Sequence, residues 1–237
     1  MKIFIPSFNR ARAVFALDVF PTASVVVPAS QEAEYRKCNP NATIVPIPDD
    51  QDGNLARKRN AIAALGSKEP DGAFVVVDDD IYGLWDKQAA RAVRGPEAVA
   101  VLEALAVRAS ARGAVVFGVH PSKRAPFNPE AEWETNRGLF HLYGFRGESA
   151  LTFDETVSGF ESMDYLFQCR EKGLKTLRWE RYALQVVNGG LGGSERAKTK
   201  ALQASEVLAR KWGARVVTLT PDGMVCGLNP NAIKRLA

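Results

Sequence analysis

The sequence predicts an α/β protein with a mixed, mostly parallel sheet flanked by helices. Short apolar runs alternate with helical patterns through its first half. The runs are rich in Val and Ile and end at Pro or Asp. Strands separated by helices make βαβ units, hence parallel neighbours and right-handed crossovers.

Taken in order, residues 2–5 form a strand stopped at Pro6-Ser7. Residues 9–19 carry a helical pattern, with Ala13, Val14, Leu17 and Val19 available to a core. A second strand over 24–27, a short helix over 30–37 and a third strand over 43–45 follow, the last ended by Pro46 and Pro48. A helix over 54–66 starts after Asp52-Gly53 and closes at Gly66. Residues 73–77 are the fourth strand. The second half is more varied. It reads as a helix over 96–112, a strand over 114–119, a polar loop over 125–137 and an aromatic strand over 138–145. An amphipathic helix over 159–172, strands near 174–178 and 182–187, a glycine-rich loop, a helix over 195–212 and a strand over 215–219 complete it. No internal repeat or low-complexity linker divides the chain, so one domain over residues 1–237 is expected.

At 46% hydrophobic and 24% charged residues, the composition is that of a globular protein rather than a disordered one. The formal charge of +4 allows a polyanionic partner without requiring one. Cys38, Cys169 and Cys226 are far apart with no CxxC spacing, which argues against a disulfide framework or a zinc site and fits a reducing cytoplasm. Pro6 interrupts the N-terminus before a signal-peptide core develops, and no window reaches 18 apolar residues, so neither export nor a membrane span is expected.

The chemistry concentrates where the fourth strand ends in Asp78-Asp79-Asp80. Strand alternation sends Asp78 and Asp80 to one face and Asp79 to the other. Paired carboxylates repel unless a cation sits between them, and hard oxygen donors suit Mg²⁺ or Mn²⁺ with substrate phosphates. A solvated loop or a helix cap fits the same residues. In parallel sheets ligands bind beyond the carboxyl ends of strands, so Pro6-Ser7, the 46–54 loop and Asp78–Asp80 are expected to share one crevice.

The helix opening Asn54-Leu55-Ala56-Arg57-Lys58-Arg59 carries three consecutive cations. Arg57 or Arg59 would clamp a diphosphate with a bidentate fork, or the cluster is simply a solvated face. Glu161 and Asp164 share a face at the start of a later helix and are candidates for a general base. Alternatively, Ser158 and Glu161 form a capping box. Asn188, Gly189 and Gly190 open the glycine-rich loop, a candidate anion nest or a flexible connector. Its spacing matches neither a Rossmann fingerprint nor a P-loop. His120 and His141 stand apart in sequence and read as ordinary.

The ordered set of Ile5-Pro6-Ser7-Phe8-Asn9-Arg10, the GNLARKRNAI helix, the Asp78–Asp80 strand end and Phe153-Asp154-Glu155 followed by GFESMDYLFQCREKG resembles the GT-A (Rossmann-like) nucleotide-diphospho-sugar glycosyltransferases. The resemblance spans nearly the whole chain. It implies a nucleotide-sugar-binding half over 1–113 and an acceptor-binding half over 114–237. Pro6, Ser7 and Arg10 would border the base and ribose, while Asn54, Arg57 and Arg59 would face the diphosphate. Asp78 and Asp80 would fill the Asp-any-Asp role of metal-ligand candidates, Asp78 nearer the ribose or sugar and Asp80 on Mn²⁺ or Mg²⁺, with Asp79 also counted among the nucleotide-binding residues. Glu161 or Asp164 would occupy the place of the base, and Asn188, Gly189 and Gly190 a loop over the diphosphate. The glycine loop carries no His or Asp as a further metal ligand, a departure from a frequent pattern.

The PSFNR opening and compact size also resemble the phage and bacterial glycosyltransferases associated with TET/JBP-type base oxidation. That resemblance implies a UDP-sugar donor, hydroxymethylated pyrimidine in DNA as acceptor, and action in the cytoplasm of a bacterial cell or phage-infected host. A glycosyltransferase for surface polysaccharide or a small glycoconjugate, a nucleotidyltransferase, and a non-catalytic nucleotide- or DNA-binding module are the competing readings.

Overall fold

Alternation in the first strands builds the layers. The computed structural model describes residues 1–69, 73–146, 151–157, 159–187 and 195–233, without the side chains of 195–200 and 230. Strands β1 (Lys2–Pro6) and β2 (Ser24–Pro28), helix α1 (Glu32–Cys38), β3 (Thr43–Ile47), α2 (Leu55–Gly66) and β4 (Ala73–Val77) come first. They are followed by β5 (Ile81–Asp86), β6 (Arg91–Val93), α3 (Pro96–Ala111), β7 (Ala114–His120), β8 (Trp133–Thr135) and β9 (Leu142–Arg146). Last come α4 (Glu161–Glu171), β10 (Lys175–Val186), α5 (Glu195–Trp212), β11 (Val217–Leu219) and β12 (Val225–Leu228).

The main sheet runs β3-β2-β1-β4-β9-β7-β10-β5-β6, with β8 also on β10. It is parallel through β3-β2-β1-β4. β9 then inserts antiparallel between β4 and β7, while β7 and β10 are parallel. On β4, Val75 and Val77 join Ile3, Ile5, Tyr35 and Leu102 in one core. Phe74 and Val76 join Phe4, Ile62 and Tyr165 in the other. Helices therefore cover both faces of β4, as expected for a central parallel strand.

Several elements differ from the sequence reading. Residues 9–19 form only a short 3₁₀ turn over Phe15–Asp18. Asn9 takes a left-handed φ of 54°, and the Arg10 and Ala16 N–H groups are donated to Tyr35 Oη and the Asp79 carbonyl rather than to a helical ladder. Strands β5, β6 and β12 were not foreseen, and the two strands expected at 174–187 are one long β10 with a bulge between Trp179 and Ala183. The polar loop over 125–137 contains the short strand β8, because Trp133 packs on Trp179 at 4.5 Å. The expected strand over 138–145 begins only at Leu142.

β9 passes close to β7 because Gly144 lacks a side chain. A Cβ there would lie 1.9 Å from the Phe117 ring. Gly144→Ala should therefore destabilise the fold by about 2–3 kcal/mol, read as a lower urea midpoint with an unchanged slope.

Candidate active site

The chain leaves β1 toward β2 and β3, then returns to place β4 on the other side of β1. Brought together at this reversal, the carboxyl ends of β1 and β4 leave a crevice between them. It measures about 390 Å³ and is lined by residues that include Pro6, Ser7, Arg10, Asn54, Lys58, Asp78, Asp79, Asp80 and His141. Arg57, Arg59, Glu161 and Asp164 do not line it.

The three aspartates separate as strand alternation requires. Asp79 turns toward β1 and α1, where the Ser7 hydroxyl donates to it at 2.6 Å and Arg10 Nη1 at 2.9 Å. Tyr35 Oη shares a 2.7 Å hydrogen bond with Ser7 Oγ. Burial raises the Asp79 pKa despite the Ser7 and Arg10 donors that oppose it. Asp78 faces the other way and accepts from Arg59 Nη2 at 2.8 Å.

Arg59 is fully enclosed. Its Nη1 donates to Glu161 at 2.8 Å and to Ser162 Oγ at 3.0 Å. The guanidinium lies 4.9 Å from the Tyr143 ring centroid and 5.7 Å from that of Phe153. Burial works against this charge, but Asp78, Tyr143 and Glu161 outweigh it and raise the Arg59 pKa. In return, Arg59 and His141 overcome the burial of Asp78 and hold its carboxyl below the ordinary range.

His141 joins the acidic strand end, contrary to its ordinary reading from sequence. Its Nδ1 lies 3.0 Å from Asp78 Oδ2, and its carbonyl accepts the Asp78 N–H at 2.8 Å. The residue has φ of 64°, and the Leu142 N–H reaches back to the Phe140 carbonyl at 2.8 Å across it. That is a γ-turn with a left-handed central residue, a strained conformation for a side-chain-bearing residue. Asp78 raises the His141 pKa by hydrogen bonding, against the burial of the ring.

Asp80 completes the group. One donor atom from each of Asp78, Asp80 and His141 lies within 4.8 Å of the others. Asp80 Oδ1 is buried without a hydrogen-bond partner, and burial together with repulsion from Asp78 raises its pKa. Two carboxylates and an imidazole, with one carboxylate oxygen left unmatched, form a donor set that fits a divalent cation such as Mn²⁺.

The remaining sequence candidates take structural partners. Asn54 caps α2 by accepting the Arg57 N–H at 2.8 Å, while its amide donates to the Glu155 carbonyl. Arg57 pairs with Glu155 at 2.7 Å. Lys58, which was not singled out, is buried and donates to the Ser7 carbonyl at 2.6 Å, with Asp52 at 2.7 Å. Burial lowers its pKa. Glu161 accepts the Gly159 N–H as well as Arg59. Asp164 has no exposed surface and is held by Trp212 Nε1 at 2.7 Å and Lys211 at 2.8 Å. Asn188, Gly189, Gly190 and Ser158 lie outside the described residues.

A parallel half-sheet whose reversal brings an acidic strand end to a crevice is the arrangement of a ligand-binding α/β protein. The sequence model for the TET-Associated Glycosyltransferase family matches residues 1–192, and the chain belongs to that family. It is a glycosyltransferase, on an α/β fold with a mixed, mostly parallel sheet flanked by helices. No curated protein sequence matches it. Among solved structures it is similar to S. aureus TarS (residues 1–349), at 13% identity and a TM-score of 0.47 over 90% of this chain and 72% of that one. A putative nucleotide-diphospho-sugar transferase from Desulfovibrio desulfuricans G20 overlaps 90% of this chain and 99% of its own, at 10% identity and a TM-score of 0.44.

Two measurements follow from these ion pairs. Arg59→Met strands the buried Glu161 and the half-buried Asp78 and should cost roughly 3 kcal/mol, with Arg59→Lys recovering part, as read by urea denaturation. Asp154 is held at a pKa of about 2, from an ordinary 3.8, where Lys211 and Thr156 outweigh its partial burial. A depressed carboxyl stabilises the fold above its unfolded value and loses that contribution as pH falls through the folded value. Thermal stability should thus decline between about pH 4 and pH 2, and Lys211→Met should flatten that limb while lowering stability at neutral pH.

Proposed function

We propose that this glycosyltransferase is metal-dependent and moves a sugar from a nucleotide-diphospho-sugar, probed first as UDP-sugars, to the hydroxyl of a 5-hydroxymethylpyrimidine in DNA. The observation that supports metal dependence is the unmatched buried oxygen of Asp80 beside Asp78 and His141. Those three residues would hold Mn²⁺ or Mg²⁺. Bound there, the ion supplies positive charge where the leaving diphosphate gathers negative charge.

The chain's own residues do the rest. Pro6, Ser7, Arg10 and Asn54 border the crevice and position the nucleotide. Lys58 ties the end of β1 to Asp52, fixing the wall against which the diphosphate rests. The acceptor oxygen bonds to the anomeric carbon as the bond to diphosphate breaks, and the nucleoside diphosphate leaves with the electron pair. The hydroxyl proton passes to a crevice carboxylate. Glu161 and Asp164, the bases expected from sequence, are committed to Arg59 and to Lys211 and Trp212. The reading gives Glu161 a positioning role behind Arg59 and Asp78, and gives Asp164 a structural one. The DNA acceptor rests on the resemblance drawn from the sequence and on the TET association in the family's name, and is compatible with the charge of +4.

The test combines purified protein, a panel of UDP-sugars and oligonucleotides containing hydroxymethylcytosine or hydroxymethyluracil, with product nucleosides read by mass. Sugar should appear on the modified base only. EDTA or Asp80→Ala should reduce transfer by about 10²-fold or more. Full activity in EDTA would exclude the metal reading, and transfer to glycans alone would exclude the DNA acceptor.

A further inference from the structure

The edge of the sheet opposite the crevice carries a second cavity. β7 and β10 start side by side there, with Lys175 paired to Ala114. β9 is antiparallel to both β4 and β7, so the start of β7 lies at the far edge from Asp78–Asp80. The cavity measures about 540 Å³, and its lining includes Arg112, Arg170 and Lys175 but no Asp or Glu. A narrow cavity of about 30 Å³ adjoins it, sharing Asn136 and Arg170 and reaching Thr176.

Charge in this cavity is unbalanced. Arg112 packs on the Trp133 ring at 5.2 Å, and Arg170 Nη2 donates to Asn231 Oδ1 at 2.7 Å. Neither forms an ion pair among the described residues, and nor does Lys175. The crevice is the reverse, setting Asp52, Asp78, Asp79 and Asp80 against Arg10 and Lys58. Two buried polar atoms are also unmatched, Arg170 Nε and Thr176 Oγ1. Thr176 is only 3% exposed, and Asn136 fixes it by accepting its N–H at 3.4 Å and donating to its carbonyl at 3.1 Å. The last turns of α3 and α4 end beside the cavity, and helix ends attract cations. That accounts for Arg112 and Arg170 singly. It leaves the hydroxyl of Thr176 and the Nε of Arg170 without a partner, which is the mark of a missing ligand atom.

We infer that this cavity is a second binding site, for a small molecule bearing a phosphate group. Guanidinium forks and an ammonium around one space suit phosphate oxygens, each bond being charge-assisted. Arg112, Arg170 and Lys175 meet the charge of the ligand, and Thr176 donates to it at the narrow end. The site is separate from the sugar-transfer crevice and does not depend on the donor or acceptor proposed above.

The experiment titrates inorganic phosphate, glucose 6-phosphate and a short single-stranded oligonucleotide into the full chain at constant ionic strength, read by calorimetry and by thermal shift. Phosphate or the sugar phosphate should bind at one site and raise the Tm, and the tighter of the two tells free phosphate from a phosphate ester. Arg112 and Lys175 are exposed, so Arg112→Gln and Lys175→Gln should keep the fold and each weaken binding about fivefold, with the double variant abolishing it. Lys68→Gln, at an exposed cation elsewhere, should leave binding unchanged. Thr176→Val should weaken binding while leaving the urea midpoint without phosphate no lower, because it removes an unmatched hydroxyl. Binding that survives the double variant but is lost in Arg10→Gln puts the anion in the crevice and overturns the inference. So does the lack of both heat and Tm shift at millimolar phosphate, which leaves Arg112 and Arg170 as partners of the helix ends alone. Tighter binding of the oligonucleotide, lost in the double variant, gives the cavity to nucleic acid and overturns the small-molecule reading.

Discussion

One buried guanidinium organises the centre of this molecule. Arg59 comes from α2, yet it joins Asp78 at the end of β4 to Glu161 at the start of α4, residues 19 and 102 positions away from it in sequence. It lies against the rings of Tyr143 and Phe153, which themselves meet edge to face. Isolated in a low-dielectric interior, a charge of this kind would be very costly. Here two carboxylates and two aromatic faces compensate it. The crevice therefore inherits its acidic wall from an ion network that also fastens α2 and α4 to the sheet.

The crevice holds together through a second set of polar contacts. Ser7, Tyr35 and Asp79, with Arg10 at the solvent edge, form a hydrogen-bonded chain between β1, α1 and the end of β4. Lys58 closes the other wall through the Ser7 carbonyl and Asp52. Pieces of sequence separated by helices thus meet with little freedom, which is what a site built for a charged substrate needs.

The parallel half of the sheet was legible because its period-two apolar runs and intervening helices follow local rules. So was the split of the three aspartates, since alternation along a strand depends on nothing distant. Residues 9–19 misled because their apolar spacing is helical while their N–H groups are claimed by Tyr35 and Asp79, partners that sequence spacing does not reveal. His141 escaped for a related reason. Its role comes from a left-handed turn that returns β9 alongside β4, and an isolated His between Phe140 and Leu142 gives no sign of that. The cationic run at 57–59 signalled function without sorting its members. Burial sorts them: Arg57 on the surface, Lys58 in the crevice wall, Arg59 in the core.

The opposed facing of Asp79 and its two neighbours matters for strand alignment. β4 is apolar on both faces, Ala73 through Val77, so its hydrophobic body would tolerate a one-residue slip against β1. Its acidic end would not. A slip would swing Asp79 away from Ser7 and Arg10 and turn Asp78 away from Arg59, leaving buried charges on both sides uncompensated. The residues that shape the crevice are in this way also the lock on a strand whose core offers no preference, and chemistry and alignment are selected together.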